Sequence, residues 1–259
     1  MRLHVCLLKE NDCYKAGRRL TPRGVMVHST GANNPNVSRY VPGDEVTGRN
    51  TGGNHWDQPG VSKCVHAFVG KFADGGVGTV QTLPWDMRGW HCASGPKGSG
   101  NNTHIGFELC EDGLEDGEYF EAVYREAVEL TAMLCREYGL NPMADGVVIC
   151  HQEGYQWGVA SNHADVLHWF PRFGKSMDDF RADVAREMEG GASVTQEQFD
   201  KMMEDYLARR AKQPVSGWAR ELLARAMERG ITDGGSPQAF ATRQEVAAMV
   251  NAAVEREKK

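Results

Sequence analysis

Four short apolar runs, V25-M-V-H28, C64-V-H-A-F-V69, T103-H-I-G-F-E-L-C110 and G146-V-V-I-C-H151, each carry a histidine or an acid near an end. Runs of this length between Gly-rich loops read as buried strands. Between the third and fourth lies Glu118 to Tyr138, where Phe120, Val123, Ala127, Leu130 and Leu134 recur at helical spacing and Gly139 follows as a terminator. That pattern predicts an amphipathic helix lying on a sheet. A second helix is predicted from Ser176, its N-cap, to Glu189, with Phe180 and Val184 on one face. Strands alternating with helices place the chain in the α/β class.

The ends of these runs bring chemistry with them. His28 closes the first strand, and a second cluster, I149-C-H-Q-E153 followed by N162-H-A-D-V-L-H168, arrives far later. Histidines and a carboxylate supplied by distant strands are how a catalytic zinc site is put together, with three protein ligands and a fourth position left for water. Hydrolysis is therefore the first function to consider.

Composition narrows the alternatives. With 259 residues, 41% hydrophobic and 25% charged, the chain has room for one large domain and a small appendage. The net charge of -6 and the lack of a basic stripe interleaved with aromatics give no nucleic-acid footprint. Seven cysteines occur without a CxxC pair, so no zinc ribbon or thioredoxin-type motif is present, and Cys6, Cys110 and Cys150 read as reduced core thiols. No apolar run approaches the roughly 20 residues of a membrane span, and M1-R-L-H-V-C-L-L-K9 is too short and polar for a secretory signal. The expected location is the cytoplasm until something releases the protein.

Gly190 to Val194 reads as a linker separating residues 1–189 from a helical module at 195–259. Within that module Thr195 with Gln198 and Thr242 with Glu245 both form capping-box patterns ahead of apolar residues in similar register. They suggest a weak repeat of short helices, too few to build much of a core alone.

Several segments taken together resemble a known family. V25-M-V-H-S-T30, W90-H-C-A-S-G95 with N101-N-T-H-I-G-F-E108, and C150-H151 through H163-A-D165 to W169-F170 look like the zinc-dependent N-acetylmuramoyl-L-alanine amidases related to peptidoglycan-recognition proteins and phage endolysins. The resemblance spans roughly residues 20–180. It implies a mixed central sheet flanked by helices, a Zn2+ cofactor and peptidoglycan as substrate. It also implies zinc ligands His28, His151 and Asp165, with Glu108 moving the proton and His163 standing where the family has a lysine facing the developing oxyanion. His66, Trp90, His91 and Asn102 are expected to line the substrate groove, although His66 fits core packing equally well.

This chain departs from the family pattern in two places. The interval from His151 to Asp165 is longer, implying an inserted loop around G154-Y-Q-W-G158, and Val166-Leu167 replaces Pro-Gly after Asp165. His163 and His168 accordingly stand as alternative third ligands. The tail, W218-A-R-E-L-L-A-R-A-M-E-R-G-I-T-D-G234 with F240-A-T-R-Q-E-V-A-A-M249, resembles S-layer-homology-type modules, implying a wall polymer or a second copy of the chain as its partner. Two other readings remain: a non-catalytic peptidoglycan-binding protein on the same fold, and a zinc peptidase cutting the stem peptide.

Overall fold

The computed structural model describes residues 1–190 and 196–256. The chain divides into two compact units, Met1–Ala192 and Ser193–Lys259. The first is built on six strands, β1 (Leu3–Val5), β2 (Gly24–Ser29), β3 (Ala67–Lys71), β4 (Val77–Gln81), β5 (His104–Leu109) and β6 (Val148–Cys150), in the order β1-β4-β3-β5-β2-β6. Only β3 and β4 pair antiparallel, so the sheet is mixed, and β3, β5, β2 and β6 run in one direction.

All four strands expected from the sequence are present, although Cys64 falls short of β3 and instead makes an isolated bridge to Trp90. Two edge-side strands went unread. β1 has only three residues, half-exposed, and β4 reads V-G-T-V-Q, where glycine and threonine dilute the apolar signal.

The helices of this unit are α1 (Asp12–Ala16), α2 (Gly117–Tyr138), α3 (His151–Gln156) and α4 (Met177–Gly190). The Asp116 side chain caps α2 by accepting from the Tyr119 amide at 3.0 Å, and Gly139 ends it at φ 63°, a conformation costly for any residue with a Cβ. Ser176 and Asp179 bond reciprocally at the start of α4. α4 extends through Gly190, the first residue of the expected linker; the remainder of that linker and Thr195 lie outside the described residues.

Strand periodicity sorts the side chains. Val25 and Val27, Ala67 and Val69, and Ile105, Phe107 and Leu109 all face α2, meeting Phe120, Val123, Ala127, Leu130 and Leu134 in one core. Met26, His28, Phe68, Gly106 and Glu108 alternate with them and occupy the opposite face. Trp169 and Phe170, both fully buried, pack on Phe120 and fix the start of the segment that leads into α4.

The second unit contains α5 (Gln196–Ala211), α6 (Arg220–Glu228) and α7 (Arg243–Arg256). Thr242 and Glu245 form the expected capping box, and the Arg210 guanidinium lies 4.4 Å from the Phe240 ring centre while its Nε donates to the Gln238 carbonyl. None of residues 200–255 is buried.

Because Leu130 is fully buried at the middle of α2, Leu130→Ala should lower the unfolding free energy by about 2–5 kcal/mol, measured by urea denaturation.

Candidate metal centre

His28 is the fifth residue of β2 and pairs in register with Glu108 of β5; on the other side of β2, Val27 pairs with Cys150, so that His151 leaves β6 beside them. Asp165 reaches the same point from the segment anchored by Trp169 and Phe170. His28 Nδ1 lies 3.0 Å from His151 Nδ1, and the Asp165 carboxylate lies 3.3 Å from the first and 3.2 Å from the second. Both histidines are buried and Asp165 is partly so.

This spacing suits a shared cation. Three ligands each about 2.1 Å from a tetrahedral ion stand about 3.4 Å apart. The second ring nitrogens are also engaged: His28 Nε2 meets His91 Nδ1 at 2.9 Å, and His151 Nε2 meets Ser161 Oγ at 3.2 Å. Ligating histidines characteristically have their other nitrogen held in this way. His28, His151 and Asp165 form a group able to hold a metal ion.

Electrostatics agree with the geometry. Burial lowers the pKa of His28, keeping it neutral and able to offer a lone pair. Burial alone would raise Asp165, but the His151 and His28 imidazoles beside its carboxylate outweigh it and hold the carboxyl well below the usual range. Glu108 is different: burial raises its pKa strongly, reinforced by the nearby charges of Asp165 and Glu111, and its Oε2 is buried with no hydrogen-bond partner in the protein. One carboxylate oxygen beside the metal-binding group is thus left without a partner, as few buried polar atoms are.

The remaining candidates separate. His163 is exposed, with its ring centre 4.7 Å from that of His151, at the open side of the group. His168 is not among the converging donors, since its Nε2 pairs with the buried Glu111 carboxylate at 2.8 Å. Glu111 also accepts from the Gly31 amide, tying the segment that carries Asp165 to the end of β2.

Three of the four expected groove residues stand elsewhere. His66 is fully buried, accepting from the Gly106 amide at Nδ1 and donating to the Met87 carbonyl from Nε2, and offers no surface to a substrate. Trp90 bridges Cys64 ahead of β3, and Asn102 precedes β5, accepting from Arg88. Both belong to the opposite end of the parallel strands from His28 and Glu108, where Trp90 borders a shallow pocket of about 320 Å³ with Cys13, Arg18 and Arg88. His91 does approach the site, but from beneath His28. The stretch expected as an inserted loop forms the end of α3 and a turn joined to the 92–100 loop through Lys97 N to Gly158 O, Gly100 N to Val159 O and Ser161 N to Cys92 O. These bonds deliver Ser161 to His151.

Comparison with known proteins gives this arrangement a family. The model of the N-acetylmuramoyl-L-alanine amidase family matches residues 18–167, more than half of the chain and inclusive of every residue of the metal-binding group. This chain belongs to that family. The amidase also resembles, in fold, the Staphylococcus aureus hydrolase AmiA solved in complex with its ligand, at 19% identity and a TM-score of 0.53 over 74% of this chain and 86% of that one. A point mutant of PlyL aligns at 19% identity and a TM-score of 0.50 over 71% of this chain and 99% of its own. No curated protein sequence matches the amidase.

Sequence reasoning missed Ser161, Asn101 and the Glu111–His168 pair. Asn101 lies next to the expected Asn102, yet it is the buried one, accepting from the His91 and Cys92 amides. Only its position in an N-N dipeptide at a strand entrance hinted at it.

Burial depresses His66 from an ordinary 6.5 to about 4. The unfolded chain therefore binds this proton first, and the stability His66 contributes is lost as pH falls from about 6.5 towards 4, by up to roughly 3 kcal/mol. Urea unfolding of wild type and His66→Gln at several pH values should show the stability gap between them narrowing through that window.

Proposed function

We propose that the amidase is a zinc enzyme that hydrolyses the amide joining N-acetylmuramic acid to L-alanine in peptidoglycan, and that it serves a phage or prophage as an endolysin. The observation that carries this reading is the convergence of His28, His151 and Asp165 next to the unpartnered Oε2 of Glu108. Two imidazoles and one carboxylate are a donor set that zinc hydrolases use. Zinc, when bound there, supplies a Lewis acid that polarises the scissile carbonyl and makes water more acidic.

The side chains perform the rest. Glu108 takes a proton from the attacking water at Oε2 and passes it to the departing L-alanine nitrogen; its raised pKa makes the carboxyl a competent holder of that proton near neutral pH. His163, at the open side of the group, donates a hydrogen bond to the carbonyl oxygen as negative charge develops on it. Asp165, held ionised, balances the charge of the cation. Glu111 and His168 keep the Asp165 segment in place without touching substrate.

Retention of the whole donor set favours an enzyme over a binding module. A stem-peptide peptidase would use the same zinc chemistry, so the products decide between the two. The tail supports the lysin role: α6, the G230-I-T-D-G234 loop and α7 resemble a wall-anchoring repeat, and Trp218 and Phe240 stand exposed on it, suited to a wall polymer or to a second copy of the chain. Among the described residues no helix is long and apolar enough to cross a membrane.

Digestion of Gram-positive peptidoglycan should release L-alanine amino termini without new reducing sugar ends; release of stem-peptide amines alone would favour the peptidase. His151→Ala should lose both bound zinc and amine release. Glu108→Gln should keep its zinc while kcat falls roughly 10²–10⁴-fold.

A further inference from the structure

Beneath the metal-binding group lies a third histidine that does not join it. His91 Nδ1 stands 2.9 Å from His28 Nε2, with the rings 5.0 Å apart and inclined at 71°. Its own Nε2 points at the His104 carbonyl, 3.3 Å away. We propose that His91 is a positioning residue for the metal: through a one-way chain of hydrogen bonds it fixes the tautomer and ring plane of His28, and with them the direction of the Nδ1 lone pair. The proposal rests on the metal reading given above.

The direction of the chain follows from its far end. A carbonyl oxygen can only accept, so His91 carries its proton on Nε2. In a neutral imidazole the other nitrogen is then an acceptor, so His91 Nδ1 takes a proton from His28 Nε2. His28 is left with a bare Nδ1, facing His151 and Asp165.

The surroundings hold His91 where this bond needs it. Its amide donates to Asn101 Oδ1 at 2.7 Å, and Asn101, fully buried, in turn donates to the Ala93 carbonyl and Ser99 Oγ. The imidazole lies flat against β5 at Gly106, where a Cβ would come within 2.5 Å of the ring. Any side chain at position 106 would displace it.

His151 has no such fixed partner. The Ser161 hydroxyl that meets its Nε2 can donate or accept, so His151 is free to carry its proton on either nitrogen. With His28 Nδ1 at 3.0 Å and Asp165 at 3.2 Å from His151 Nδ1, a proton on that atom would be shared between them, whereas a bound ion would require the proton on Nε2, facing Ser161. One ligand is preset and the other adapts.

The test uses the full chain. Zinc affinity is measured by competition with a chelator of known strength for wild type, His91→Leu, His91→Gln and Gly106→Ala, and the histidine tautomers of the zinc-free proteins are read by nitrogen-15 NMR. Loss of the acceptor in His91→Leu should weaken zinc binding roughly 10–100-fold. His91→Gln, whose amide oxygen accepts from Nε2, should recover most of that affinity, and Gly106→Ala should behave like His91→Leu. Zinc-free wild type should show His28 protonated on Nε2 and shielded from exchange. Unchanged zinc affinity in His91→Leu, or His28 protonated on Nδ1 in wild type, overturns the proposal. If wild type takes up no zinc, the metal reading fails and the tautomer spectra decide alone: His28 Nε2–H present in wild type and lost in His91→Leu upholds the His91 chain, and any other pattern overturns it.

Discussion

The parallel pairing of β2 with β5 sets His28 opposite Glu108, and the rest of the site is arranged around that register. Strand side chains alternate, so the register that presents these two polar groups on one face also turns Val25, Val27, Ile105 and Phe107 towards α2. A slip of one residue would turn His28 against an apolar helix and move the valines to the face that now carries the polar groups. Burial of the α2 stripe and placement of the His28–Glu108 pair are thus one constraint, and the hydrophobic effect supplies the energy that holds a costly arrangement of polar groups.

That arrangement depends on buried polar groups whose partners are nearly all accounted for. His66, His91 and His104 lie along the same side of the sheet as His28, each bonded to backbone or to one another. Glu108 Oε2 and, beside His28 on β2, Ser29 Oγ are buried without a partner. The unpartnered carboxylate oxygen of Glu108 stands next to the three converging donors. The Asp165 segment is drawn to the same point by packing, since Trp169 and Phe170 sink into the α2 core just beyond it.

The two units contrast in how they are held. The first closes around apolar clusters on both faces of its sheet, whereas none of residues 200–255 in the second is buried. Helices of this length draw most of their stability from packing of an apolar face. In the second unit a capping box starts α7, and Arg210 reaches Phe240 and Gln238 from a distant part of the chain. Trp218, Phe240 and Val250 stand exposed on this unit.

The family resemblance offered His28 and His151 with Asp165, His163 or His168 as third ligand; alone, the sequence determined the four central strands, α2 with its buried face and α4 with its Ser176 cap. Those features are local: periodicity, capping and strand ends are written within a few residues of one another. It left β1 and β4 unread, because short strands at the edge side of the sheet carry little apolar pattern. The tertiary structure alone decided which histidine does what. His91, His66 and Trp90 look interchangeable as groove residues in the sequence, yet the bonds joining the 92–100 loop to the 158–161 turn, and the open space left by Gly106, send His91 beneath His28, while His66 is locked into backbone bonds and Trp90 stands at the far end of the strands. Asp165 and His168 likewise differ by only three positions, but the Glu111 carboxylate claims His168 and leaves Asp165 to the metal-binding group. A side chain's role there follows from which donors and acceptors surround it, and those come from segments dozens of residues away that only the folded chain brings together.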